Sequence, residues 1–377
     1  SLPDHDLQRQ LDGTPAYDYS AELRLMLQED TGPLTWIVQS TTTLNGGDSF
    51  NLPGAPETSL EKIPENDDFR LMDLAWEIED GSRHRSLERL DRFAVRYRAD
   101  SWTVTVGREA VSWGNGILFQ PLDLFNPFAP TSVDRDYKVG DDMVIVDKLF
   151  SGGMDAQLLS VFRRDAEENV TSDSSSAALR LRGFAGNAGW ELAGGKHYQD
   201  QIYGLGLRVP VGSALLRSDL VLTDLDSGGW EFSAVVNMDY SLTWRDRNLY
   251  VFAEYFRNGF GVSQLPDSID QLPEDLLERL GRGEIFTLMK NYLAVGTTIE
   301  WHPLWNQNLT LINNLDDGSS LLQTQFSYEP GDHSSLDVGL LLPLGKRGDE
   351  YGGIPLAGDE FTTGGARKAF LRFVYFL

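Results

Sequence analysis

Hydrophobic residues recur at every second position over one short segment of this chain after another. Near the start, Tyr17, Tyr19, Ala21, Leu23, Leu25 and Leu27 alternate with Asp18, Ser20, Glu22, Arg24, Met26 and Gln28. Successive side chains on a pleated strand point to opposite faces, so this spacing predicts a strand with one oily and one mostly polar face. The pattern returns as Phe93, Val95 and Tyr97 against Arg92, Arg96 and Arg98, as Trp102, Val104 and Val106 against Thr103 and Thr105, and as Leu179 and Leu181 against Arg180 and Arg182. Later, Trp230, Phe232, Ala234, Val236, Met238 and Tyr240 oppose Glu231, Ser233, Asn237 and Asp239. Leu293, Val295, Thr297, Ile299 and Trp301 likewise oppose Tyr292, Thr298 and Glu300. Helical periodicity is nearly absent. The expected count is about 18 strands, with about 16 possible, because strand boundaries are the weakest part of such a reading.

From about residue 68 onward, tight turns (Ala99 to Ser101, Ser151 to Gly153, Pro210 to Ala214) alternate with long loops over 108–141, 165–175, 257–290 and 344–365. Short turns on one side and long loops on the other predict an all-β, antiparallel transmembrane barrel with long extracellular loops, closed on an even number of strands. The first hundred residues break this rhythm: a short turn at Glu29 to Pro33 precedes a Gly/Pro-bearing stretch from Asn45 to Asp68. Either a strand goes unread there, or a lumen-filling segment stands where a loop is expected. Nothing argues for a second domain, so residues 1–377 read as one barrel, with an N-terminal segment over 1–14 and a closing strand over 366–377. Tyr17, Trp102, Trp190, Trp230, Tyr240, Tyr255, Trp301 and Tyr328 fall at strand ends on the oily face, where amphipathic rings would meet lipid head groups.

Composition narrows the classes. No run of about 18 apolar residues occurs, which excludes a transmembrane helix. The mean hydropathy of −0.30 leaves a barrel open, because barrel strands show lipid only every second residue. The 57 acidic and 32 basic residues give a net charge of −25, which argues against nucleic acid as a partner. The absence of cysteine removes disulfide frameworks, thiolate metal sites and cysteine nucleophiles together. The chain opens at Ser1 without an initiator Met or an apolar leader, which reads as a mature or trimmed form from which a signal peptide is absent.

The ending Phe373-Val374-Tyr375-Phe376-Leu377 resembles the C-terminal assembly signal of outer-membrane proteins, with Leu377 where that signal carries Phe or Trp. The stretch from Gly107-Arg108-Glu109 through Trp113-Gly114-Asn115-Gly116 to Pro121-Leu122-Asp123-Leu124-Phe125-Asn126-Pro127 is similar to one seen in porin-like barrels. The resemblance is therefore to Gram-negative outer-membrane β-barrels of the porin-like superfamily. It implies residence in the bacterial outer membrane among lipid and lipopolysaccharide, and insertion by the barrel-assembly machinery through the last strand.

Candidate chemistry concentrates in the segment from Arg108 to Asp142, longer than a compact connection needs. Its front half is apolar and turn-rich, whereas its back half carries Asp134, Arg135, Asp136, Lys138, Asp141 and Asp142. Two readings stand: a loop folded into the lumen as a constriction or plug, as in porins, or a cap across the barrel rim. The segment Glu274 to Leu280, after Pro273, predicts a short helix within the 257–290 loop, as a lid or a solvent-exposed excursion. Placing the face opposite each oily stripe in the lumen gives candidate lining residues Arg92, Arg96, Arg98, Arg180, Arg182, Glu231, Asp239, Glu254 and Glu300, with Asp123, Asp134 and Asp136 on the loop. The arginines come early and the acids late, so one wall would be basic and another acidic, unless these residues simply pair to stiffen the wall. No metal or cofactor site is expected, since Asp141-Asp142 and Asp316-Asp317-Gly318 lack the spacing of a calcium loop. None of the five histidines sits in a serine-centred motif, so no catalytic residue is assigned and the chain is not read as an enzyme. The favoured function is an outer-membrane channel for a polar or charged small solute. The alternative is a barrel closed on its own, working with periplasmic partners in an export or lipid/polymer transport assembly.

Overall fold

A computed structural model of the chain describes residues 6, 9, 16–48, 67–81, 83–125, 127–132, 137–356 and 362–376. The strands are β1 (Asp18–Thr31), β2 (Leu34–Gly47), β3 (Ala75–Asp80), β4 (His84–Ala99), β5 (Trp102–Glu109), β6 (Asp141–Leu149), β7 (Asp155–Val161), β8 (Ser176–Ala185), β9 (Ala188–His197) and β10 (Asp200–Val211). They continue as β11 (Ala214–Asp224), β12 (Trp230–Trp244), β13 (Arg247–Arg257), β14 (Asn291–His302), β15 (Trp305–Asn314), β16 (Ser320–Gly331), β17 (Ser334–Leu344), β18 (Ile354–Pro355), β19 (Thr362–Thr363) and β20 (Lys368–Tyr375). A helix, α1 (Glu274–Gly281), follows Pro273 as the sequence predicts. Eighteen strands form a single sheet, while β18 and β19 make a separate two-stranded pair. Every pairing between sheet strands is antiparallel, as in a barrel wall built of hairpins.

The expected alternation is realised as burial. On β12, Trp230, Phe232, Val236, Met238 and Tyr240 are exposed, while Ser233, Val235 and Asn237 are buried. Leu23, Leu25 and Leu27 on β1 and Leu371, Phe373 and Tyr375 on β20 are likewise exposed. So much apolar surface facing outward is the belt of a wall that meets lipid. Among the described residues, no helix is long and apolar enough to cross a membrane.

The first hundred residues hold the strands that alternation did not reveal. β2 carries Gln39-Ser40-Thr41-Thr42-Thr43, polar on both faces, yet it pairs along its whole length with β1 and along most of it with β4. β3 takes the upper half of an edge of β4 whose lower half belongs to β5. Among the described residues, the 18 strands of the sheet therefore occupy seventeen positions round the wall. The N-terminal segment 1–14 lies outside the described residues except for Asp6 and Arg9.

The main apolar cores sit inside the curve of the sheet. One joins Leu118 and Phe119 of the long loop to Val235, Phe256, Tyr292, Ile312 and Leu341 of the wall and to Leu276, Leu288 and Met289 of the 258–290 connection. The other gathers Trp113, Leu122 and Phe125 against Met143, Ile145, Leu159, Ile202 and Val221. α1 is thus part of the interior, with Leu276 fully buried, and is not a solvent-exposed excursion.

Candidate functional site: a loop folded into the lumen

The segment between β5 and β6 leaves the wall at Ala110 and crosses the lumen. An irregular segment carries backbone N–H groups that need acceptors once buried, and lumen-facing side chains of the wall supply them. The Gly114 N–H lies 3.4 Å from Glu191 on β9. Asn115 donates to Asp219 on β11 through both its backbone N–H and its side-chain amide, each at 2.6 Å. The next three donors converge on one carboxylate: Ile117, Leu118 and Phe119 N–H reach Glu254 on β13 at 2.6, 2.8 and 2.9 Å. Asn237 on β12 donates to Glu254 and to the Asn115 carbonyl, both at 3.1 Å. Glu254 and Asp219 are wholly buried beneath the loop.

Close approach is possible because β10 presents glycine where the loop lies. A Cβ at Gly206 would stand 2.6 Å from the Asn115 amide, and one at Gly204 would overlap Leu122. A strand that interrupts its leucines with Gly-x-Gly marks a site where another backbone comes near. That signal was present in Tyr203-Gly204-Leu205-Gly206-Leu207, and it locates the docking site.

The apolar front half supplies the grip. The Phe119 ring stacks on Phe256 with centroids 4.5 Å apart. Trp113 buries its ring and donates from Nε1 to Gln157 at 2.7 Å. On the return leg, Lys138 closes the loop on itself, bonding Asp123 and the Val111 carbonyl at 2.6 Å each. At the neck, Arg108 is fully buried and binds Asp142, where the chain rejoins the wall, at 2.9 Å and Asp67 at 2.7 Å. Its other N–H groups meet the Met72 and Leu90 carbonyls. The neck is therefore pinned to the 67–74 segment by a buried charge that meets two carboxylates and two backbone carbonyls.

The candidate lining residues fall in different settings. Arg92 and Arg96 share Glu109, at 2.9 and 3.2 Å. Arg182 pairs with Asp155 at 2.7 Å, and Asp239 accepts from Arg217 at 3.0 Å and from the Tyr250 hydroxyl at 2.8 Å. Arg180 is buried beside the loop, its guanidinium 5.4 Å from the Trp113 ring and its Nε without an acceptor among the described residues. Arg98 is exposed, Glu231 is half-buried, and Glu300 accepts from Asn248 at 2.8 Å. Asp123 is buried inside the loop against Lys138, and Glu254 lies under the loop. Asp134 and Asp136 lie outside the described residues. The structure brings Glu254 and Arg180 to the loop, and leaves Arg98 and Glu300 apart from it. On the long-loop side, a cavity of about 1070 Å³ is lined by Arg70, Arg163, Arg164, Tyr198, Glu284 and Lys368, among others. Among the described residues, no group of acidic and histidine side chains could hold a metal ion.

A wall of hairpins with an oily outside, and a long loop hydrogen-bonded inside it, decides the comparison. The fold is that of an outer-membrane porin. Among solved structures, the barrel is similar to Acinetobacter baumannii OccAB1, at 9% identity over 95% of this chain and 89% of that one, with a TM-score of 0.50. It is also similar to Pseudomonas aeruginosa OccK2 (OpdF), whose structure contains glucuronate, at 8% identity over 96% and 92% and a TM-score of 0.49. Acinetobacter baumannii OccAB4 matches at 12% identity over 87% and 86%, with a TM-score of 0.46. No family model matches the chain, and no curated protein matches it in sequence.

Proposed function

We propose that this porin-like barrel is a channel of the Gram-negative outer membrane that passes a polar or charged small solute, with the β5–β6 loop setting its width. The observation that carries this reading is the capture of three successive loop N–H groups by Glu254, a fully buried carboxylate on the opposite wall. A rim cap would leave that carboxylate in the lumen; an inward loop spends it on its own anchorage. Neighbours in sequence are neighbours round the sheet, so Arg92, Arg96 and Arg98 mark one wall and Glu231, Asp239 and Glu300 another. Opposed charges of this kind orient a dipolar or charged solute at a constriction. Pairing of Arg92 and Arg96 with Glu109 and of Asp239 with Arg217 weakens that field, which makes exposed Arg98 the arginine of the set most available to a solute.

Single-channel conductance of the refolded protein in a planar bilayer, with and without residues 117–130, tests the proposal. Steady conductance that rises on deletion is the expected result. A barrel silent in both forms would favour a transport assembly that needs its partner before it opens.

A further inference from the structure

The β13–β14 connection packs on the inward loop and is pinned at its root. The Asn258 N–H bonds the Lys290 carbonyl at 2.8 Å, the Val262 N–H bonds the Leu288 carbonyl at 2.9 Å, and the Asn258 amide bonds the Thr287 carbonyl at 3.1 Å. Its tip, which carries α1, is tied to the wall at β9 and β10. Arg279 is buried, lies 3.9 Å from the centre of the Phe260 ring and pairs with Asp200. Glu284 stands 3.1 Å from Nε2 of His197, the last residue of β9. Arg282 and Arg163 both lie over the Tyr198 ring, 3.9 and 4.7 Å from its centre. Tyr198 itself sits at φ +52, a left-handed conformation that a bulky side chain adopts only where its surroundings hold it.

The partners of His197 fix its tautomer. Ser176 Oγ on β8 accepts from Arg163 Nη1 at 3.0 Å and from the Tyr198 N–H at 3.4 Å, so its own proton goes to His197 Nδ1, 3.0 Å away. The ring is then neutral and donates from Nε2 to Glu284. The charged groups that face it are Arg163, paired with Asp141; Arg279, paired with Asp200; and Arg282 and Glu284 of the connection. Asp123 of the inward loop, held by Lys138, lines the same small pocket, and the Phe125 and Tyr198 rings stand edge-on to the imidazole. A proton on Nδ1 would meet an oxygen that already takes two N–H bonds, and would add a positive charge beside Arg163 and Arg279. Glu284 favours the cation, but it shares its charge with Arg279 and Arg282, each at 4.0 Å.

We propose that the tip of the β13–β14 connection is a lid on the long-loop side of the lumen, latched to β8–β10 through His197 and Glu284 and released when acid charges His197. An ordinary imidazole titrates near about 6.5, so the latch is complete above that value and is lost as pH falls below it. Leu277, Leu280, Arg282 and Glu284 of the tip line the cavity of about 1070 Å³, and movement of the tip therefore changes access to it. Glu350, which accepts from the Leu288 N–H at the root of the connection, cannot imitate this response. Burial raises its carboxyl to about 7, so its hold loosens as pH rises, in the opposite direction.

The chain contains no cysteine, so Glu274→Cys on α1 and Gln201→Cys on β10, both at exposed positions, give unique sites for a pair of spin labels. Pulsed electron resonance of the labelled full chain in lipid nanodiscs should give one narrow distance at pH 8. At pH 5 the distribution should lengthen and broaden, and it should revert when the pH is restored. His197→Gln keeps an amide donor toward Glu284 but cannot titrate, and should hold the narrow distribution at both pH values. Identical distributions at pH 8 and pH 5 with His197 in place overturn the proposal, and so does the same broadening in His197→Gln. Conductance in a planar bilayer should rise severalfold from pH 8 to pH 5. That second readout rests on the channel reading, so a lid that moves in a barrel silent at both pH values would uphold the latch and reject the channel.

Discussion

The loop-covered wall of β9 to β13 and the wall of β1, β2 and β4 carry the same kind of lumen-facing polar residue, and the two walls use it differently. Under the loop, Asp219, Asn237 and Glu254 are wholly buried and hold loop backbone. On the other wall, Arg24 binds Asp91 at 2.9 Å and Arg92 binds Glu109 at 2.9 Å, so the arginines are answered by neighbours within or at the end of the strands. Period-two placement assigns a residue to the lumen but leaves its role to whatever lies opposite. A carboxylate facing a loop becomes an anchor for that loop, whereas an arginine with no loop across from it is held by a carboxylate of its own wall.

The contrast is tested most severely at the neck. Arg108→Ala leaves the Asp142 and Asp67 carboxylates buried without their cation, a loss of about 3–5 kcal/mol for a broken buried pair. Urea unfolding should show a clearly lowered midpoint, and an unchanged midpoint would mean that the neck is not held by this charge. Glu254→Ala should come next, since each buried N–H left without an acceptor costs about 1–3 kcal/mol. The loop should detach, conductance should rise severalfold, and Glu254→Gln should retain part of the anchorage through its remaining carbonyl oxygen.

A third expectation concerns pH. Glu350, in the connection after β17, accepts from the Leu288 N–H at 2.8 Å and from the Tyr292 hydroxyl and Asn314 amide at 2.6 Å each. Burial pushes its carboxyl up from an ordinary 4.5 to about 7. A folded-state value above the unfolded one means that the contribution is fully present below 4.5 and is lost as pH rises through about 7. Protease cleavage in the 345–356 segment should therefore increase between pH 5 and pH 8, with Glu350→Gln flattening the dependence. Equal cleavage at both pH values in the unsubstituted protein would remove Glu350 as the cause. The smallest stability effect belongs to Arg98→Glu, within about 0.5 kcal/mol for an exposed position. Its readout is ion selectivity, which should shift toward cations; unchanged selectivity would take Arg98 out of the solute path.

Much of this molecule was legible in the chain because a barrel strand has only two faces and lipid demands one of them. Alternation located β1, β4, β5, β8, β12 and β14, the C-terminal ending marked β20, and Pro273 marked the start of α1. It passed over β2, whose Gln-Ser-Thr-Thr-Thr run offers no apolar face, and did not separate β3, which occupies only half an edge. The apolar front of the long loop announced that residues 113–128 would not lie in water. Gly204 and Gly206 announced a close approach, although not of which segment.

What sequence by itself determined was the class of fold, the inward and outward face of most strands, and the position of the long connection. Tertiary structure alone decided that the loop turns inward, that Glu254 and Asp219 hold it, that Arg108 clamps its neck, and that α1 joins the interior. The physical reason is range. Alternation is a local consequence of pleating and solvent, read within a few residues, whereas Glu254 meets Leu118 across 136 positions of chain and only closure of the wall brings them together.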